Sequence, residues 1–190
     1  MSTTHVPPKR QKSSLIAGTA VFSALVATVE YLSLAIPFLR IPFPWFPQLP
    51  LKFDMAEIPA VLSFFVYGLP VGILTSLIVP LTIIARGTTN PIGAWLKGLA
   101  VLATIVGLAP LWRRNRYLSG VLGTVSRVFL MSIVNLVTLP MLYGYSLEFT
   151  LISMPWIGIF NALHSVLTIG GSYIIYEALI IRLPRLPSRE

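Results

Sequence analysis

Between Ser14 and Ile181 the chain is a succession of apolar runs, broken by prolines, glycines and small knots of charge. A membrane-crossing helix needs about 20 mainly apolar residues, and six runs read as spans: 14–36, 56–67, 70–85, 91–112, 118–142 and 155–181. The second is short. Gly68-Leu69-Pro70 marks a tight connection between it and the third, because Gly and Pro punctuate helices. Only 11% of the residues are charged, against about 25% in soluble domains. Mean hydropathy is +0.82, so the chain has too few polar groups to cover a water-facing surface. The expected fold is an all-α integral membrane protein. Six transmembrane helices form one domain over residues 14–182, between basic cytoplasmic tails at 1–13 and 183–190.

The net charge of +8 is distributed in patches. Lys9, Arg10 and Lys12 precede the first run, Arg113, Arg114 and Arg116 sit between the fourth and fifth, and Arg182, Arg185 and Arg189 close the chain. Basic clusters beside apolar spans mark the cytoplasmic side. An even number of spans puts both termini there, in a multi-pass protein of the cell membrane. Only Arg40, Lys52 and Arg86 then fall in outer loops. No basic stripe interleaved with exposed aromatics suggests a nucleic-acid partner. Cysteine is absent and only two histidines occur, His5 in a polar tail and His164, which argues against a metal enzyme. No phosphate-binding Gly-Lys loop or nucleophile elbow is present, so no catalytic residue is expected.

The stretch between the first two runs is rich in proline, with Pro37, Pro42, Pro44, Pro47 and Pro50 around Phe43, Trp45 and Phe46. Proline fixes φ and cannot continue a helix, so a stiff, extended external loop is expected. It reads either as an interfacial aromatic belt or as a lid over an outward-facing pocket, with Trp45 and Phe46 as ligand contacts. Asp54 and Glu57 have the spacing of a capping box and favour the positive end of the helix that follows. Lys52 pairs with either acid or reaches the headgroups.

Ionisable and amide groups inside spans are costly and mostly functional. Here they are Glu30, Lys97, Arg127, Asn135, Asn161, His164 and Glu177. At 1.5 Å per residue, Glu30, Lys97, Asn135, Asn161 and His164 lie about 9–13 Å from the outer ends of four different spans. That common level points to a polar pocket open to the outside. The competing reading is structural: Glu30 neutralises Lys97, and the asparagines bind neighbouring helices. Arg127 and Glu177 fall nearer the cytoplasmic face, where pairing or snorkelling is expected.

The blocks LKFDMAEIPAVLSFFVYGLPVGI, SRVFLMSIVNLVTLPMLYG and FNALHSVLTI resemble the membrane-embedded S components of energy-coupling factor (ECF) transporters, and among them the riboflavin-specific group. The resemblance runs from about Ala17 to Tyr176. It implies a six-helix, non-enzymatic subunit with no cofactor, binding riboflavin as cargo under its first external loop. It also implies a T component and two ATP-binding-cassette ATPases as partners. Asn135 and Asn161 match ligand-binding asparagines of that group. In the sixth-helix motif F-N-x-x-K this chain has His164 in place of the lysine. Ala20 and Ala24 fit the A-x-x-x-A patch that packs on the T component. An S component for another vitamin or heterocycle, an autonomous secondary transporter and a membrane enzyme are the alternatives.

Overall fold

The computed structural model describes residues 8–87 and 90–182. Six helices follow one another: α1 (Pro8–Ala35), α2 (Glu57–Tyr67), α3 (Leu69–Ala85), α4 (Pro91–Leu108), α5 (Arg116–Tyr143) and α6 (Leu147–Arg182). Taking α1 from Lys12, the helices α1, α4, α5 and α6 are long and apolar enough to cross a membrane, while α2 and α3 are shorter apolar helices. Many of their large apolar side chains face outward, including Phe129, Val166 and Ile174. Such a surface suits lipid rather than water.

The expected spans hold as elements and shift at their ends. Helix α1 begins at Pro8, inside the stretch read as a tail; the rest of both tails lies outside the described residues. Regular helix α4 stops at Leu108 instead of Trp112, since Pro110 has no N–H to offer the ladder. The sixth helix starts at Leu147, eight residues before the expected Pro155, which is inside the helix. Its start is set by Ser146, whose Oγ accepts the Phe149 N–H at 3.2 Å. Gly144 ends α5 in the left-handed conformation (φ 71°), so only three residues, 144–146, connect α5 and α6. Asn90 and Asn115 cap α4 and α5 through the N–H groups of Gly93 and Leu118.

Helix α5 lies between α4 and α6, α3 packs on α4 and α1, and α2 is held among α1, α3 and α6. Lipid tails are as apolar as leucine, so close contact rather than water exclusion must hold such helices together. Small residues permit it. A Cβ on Gly98 would stand 2.7 Å from Pro80 Cδ, and one on Gly107 2.8 Å from the Leu122 carbonyl oxygen. At one end of the bundle Phe65 stacks on Trp112, with ring centroids 4.0 Å apart, beside Phe64 and Tyr176.

The stretch expected to be extended doubles back instead. After a 3-10 turn (Pro37–Leu39), strand β1 (Arg40–Pro42) pairs antiparallel with β2 (Lys52–Asp54), Arg40 opposite Asp54. Side chains alternate across a strand, so Lys52 and Asp54 point one way and Phe53 the other. Phe53 joins Phe43 and Phe160 in an aromatic cluster that fastens the hairpin to α6.

Candidate functional site

Two ion-paired groups converge beneath the hairpin. The first begins at Glu30 on α1, which is fully buried. It pairs with Arg86 (2.7 Å), just past the end of α3, and with Lys97 on α4. Lys97 Nζ also reaches Asp54 Oδ2 at 2.7 Å. The second centres on Arg127 of α5. Its Nη1 and Nη2 donate to Glu57 at 2.6 and 3.3 Å, and its Nε donates to Asn161 Oδ1 at 3.1 Å. Arg127 Nη2 also stands 3.1 Å from His164 Nδ1. A guanidinium has donors only, so Nδ1 accepts there. His164 Nε2 faces the Asp54 backbone, 3.2 Å from both its carbonyl oxygen and its amide nitrogen. Asp54 therefore joins the two groups, its carboxylate held by α4 and its backbone by α6.

A cavity of about 440 Å³ opens between these groups. Arg40, Lys52, Asp54, Glu57, Lys97, Arg127, Asn135, Asn161 and His164 line it, with Met131, Leu139 and Phe160 among the apolar residues of the wall. The mixture of apolar wall and a few placed polar groups is that of a small-molecule site. Asn135 donates to the Met131 carbonyl of its own helix at 2.7 Å, and Asn161 likewise to Ile157 at 2.9 Å. Each amide is thereby fixed in orientation. Asn161 also accepts from α5, while among the described residues no donor engages Asn135 Oδ1.

Four of the residues expected at the site, Lys97, Asn135, Asn161 and His164, lie on this one cavity. Glu30 stands behind Lys97. Trp45 and Phe46 do not line it. Trp45 is 58% exposed and meets Phe43 edge-on, and Phe46 lies against Trp156 and Phe149. The turn that reverses the chain carries both rings past the cavity, and the ring driven inward is Phe43. His164 lines the wall with both ring nitrogens already engaged by protein.

The capping-box expectation is corrected. Ala56 precedes α2 with no side-chain cap. Asp54 Oδ1 accepts the Ala56 N–H at 2.9 Å, a local turn, and Glu57 reaches across to Arg127 instead of back to Asp54. Arg127 was expected near the cytoplasmic face and is 2% exposed on the cavity. A spacing signal could have found it: Arg127, Met131, Asn135 and Leu139 recur every four residues, and all are buried. Glu177 does pair, with Arg116 near the far ends of α5 and α6.

The fold is similar to a solved structure described as the structure and mechanism of the S component of a bacterial ECF transporter. The TM-score is 0.77 with 20% sequence identity, covering 92% of this chain and 99% of that one. No protein-family model and no curated protein matches the sequence. At this identity the likeness is one of fold: a multi-helix membrane bundle of the S-component type.

Proposed function

We propose that this chain is the substrate-binding S component of an ECF importer and that its cargo is a flavin, riboflavin in the first instance. The observation that carries the reading is the convergence of Asn135 and Asn161 on one cavity under an ordered hairpin, within a fold of the S-component type. A flat heterocycle fits between apolar walls such as Met131, Leu139 and Phe160. The asparagine amides, fixed by their own helices, offer placed hydrogen bonds at its edge. No nucleotide-binding loop occurs in the sequence, so energy would come from a T component and two ATPases. Helix α1 offers Ala20 and Ala24 to such a partner, both exposed on one face. In this reading the hairpin end faces the outside and both termini the cytoplasm, in agreement with the basic clusters.

Isothermal titration of riboflavin into the purified protein tests the cargo, and absence of heat and of any bound flavin refutes it. Asn161→Ala removes a cavity-lining amide and also strands Arg127 Nε. Net hydrogen bonds are worth about 0.5–1.5 kcal/mol, and stranded buried partners cost more. A loss of riboflavin affinity of at least about fivefold is expected, read in the same titration.

A further inference from the structure

The cavity wall carries more positive charge than its acids neutralise. Arg40, Lys52, Lys97 and Arg127 face Asp54 and Glu57. Arg127 is committed to Glu57, and Lys97 to Asp54 and Glu30, whose other partner is Arg86. Arg40 and Lys52 remain. Register places them on the same face of the hairpin as Asp54, the face that borders the cavity. Arg40 Nε lies 3.9 Å from Asp54 Oδ2, too far for a hydrogen bond. That nitrogen is buried and, among the described residues, has no hydrogen-bond partner. Buried donors without acceptors are rare and costly.

We infer that Arg40 and Lys52 form an anion subsite at the hairpin edge of the cavity, and that the ligand carries a phosphomonoester there. This rests on the flavin reading, and it changes the preferred cargo from riboflavin to its 5′-phosphate. Lys52 has no ion pair among the described residues, and Arg40 meets Asp54 only at 3.9 Å without a hydrogen bond, so together they can answer the charge of about −1.5 to −2 on a phosphomonoester at neutral pH. Arginine presents its donors as a planar fork suited to phosphate oxygens, and Lys52 adds a mobile point charge. Both sit on the element that covers the cavity, so the anion would join the hairpin to whatever lies beneath it.

The test compares riboflavin with riboflavin 5′-phosphate by titration into the purified full-length protein. The phosphate ester is expected to bind about tenfold more tightly or better, the scale of charge-assisted hydrogen bonds. Arg40→Gln and Lys52→Gln should each reduce the ratio of the two dissociation constants, and the double variant should bring it close to one. Should Arg40→Gln fail to fold, Lys52→Gln, whose side chain is exposed, carries the comparison alone. Riboflavin binding as tightly as its phosphate overturns the inference and leaves the flavin reading standing. A preference that survives both substitutions overturns the assignment to these residues. Failure of both flavins to bind overturns the reading and the inference together.

Discussion

Arg127 and Arg116 each pair with one glutamate, yet substitution should separate them sharply. The Arg127–Glu57 side chains are 2% and 1% exposed, and those of Arg116 and Glu177 are 47% and 38% exposed. Breaking a buried pair leaves an uncompensated charge and costs about 3–5 kcal/mol, whereas exposed pairs contribute about 0–1 kcal/mol. Glu57→Gln should therefore lower the thermal midpoint in detergent by many degrees, and Glu177→Gln should barely move it. Replacing both partners, as in Glu57→Gln with Arg127→Met, should recover much of the loss, because a neutral pair of similar volume strands no charge. Equal midpoints for the two single variants would contradict this account. The polar members of the site were legible one at a time, since an Asn, His or Lys inside an apolar run stands out. Their pairing was not. Asp54 and Glu57 carry a local signal, helix capping, that competes with a long-range one, and sequence shows only the local one. Arg127 was misplaced because depth was counted from span ends while the hairpin descends to meet it.

At the level of elements, the helices were readable from their apolar runs, and their ends were not always so. Asn90 and Asn115 cap as such residues do. Pro155 misled because proline is common in a first turn, whereas here it stands in the third turn of α6. Helix contacts give a sharper expectation. A methyl at Gly107 would meet Leu122 backbone oxygen at 2.8 Å, and the backbone cannot yield as a side chain does. At Gly170 nothing lies within 4 Å. Gly107→Ala should force α4 and α5 apart and lower the thermal midpoint, at an over-packing cost of about 1–3 kcal/mol. Gly170→Ala should leave it unchanged or raise it, since alanine is the better helix former by about 1 kcal/mol. Parallel melting curves of the two variants check the contrast.

For the molecule as a whole, hydropathy alone disclosed a helical membrane bundle, and it could not disclose that the proline-rich stretch folds into a hairpin. That depends on pairing across the connection formed by residues 43–51 and on the seat that Phe160 and His164 provide, which no local pattern encodes. The exposed alanines of α1 lead to an assembly-level prediction. Ala20→Trp and Ala24→Trp put bulk on a face that the described part of this chain does not bury. The purified variants should melt like the parent and still titrate with riboflavin. If the chain is the S component proposed above, ATP-driven uptake in vesicles containing a T component and ATPases should fall. Full uptake by both variants, or by the parent protein without those partners, would refute the docking role.

Helix α2 has 11 residues, a length of about 16 Å, while the hydrocarbon layer is about 30 Å thick. Non-helical backbone is tolerated at such depth only where protein encloses it or a water-filled cavity borders it. With the far end of α2 at one membrane face, the hairpin that precedes it would bring the aqueous boundary to roughly the bilayer midplane. A molecule resting beside Asn135 and Asn161 would already be about halfway across before any part of the protein moves. The remaining distance is filled by the rings of Phe64, Phe65 and Trp112. In the proposed import role, that packed layer rather than the whole bilayer would be the permeability barrier.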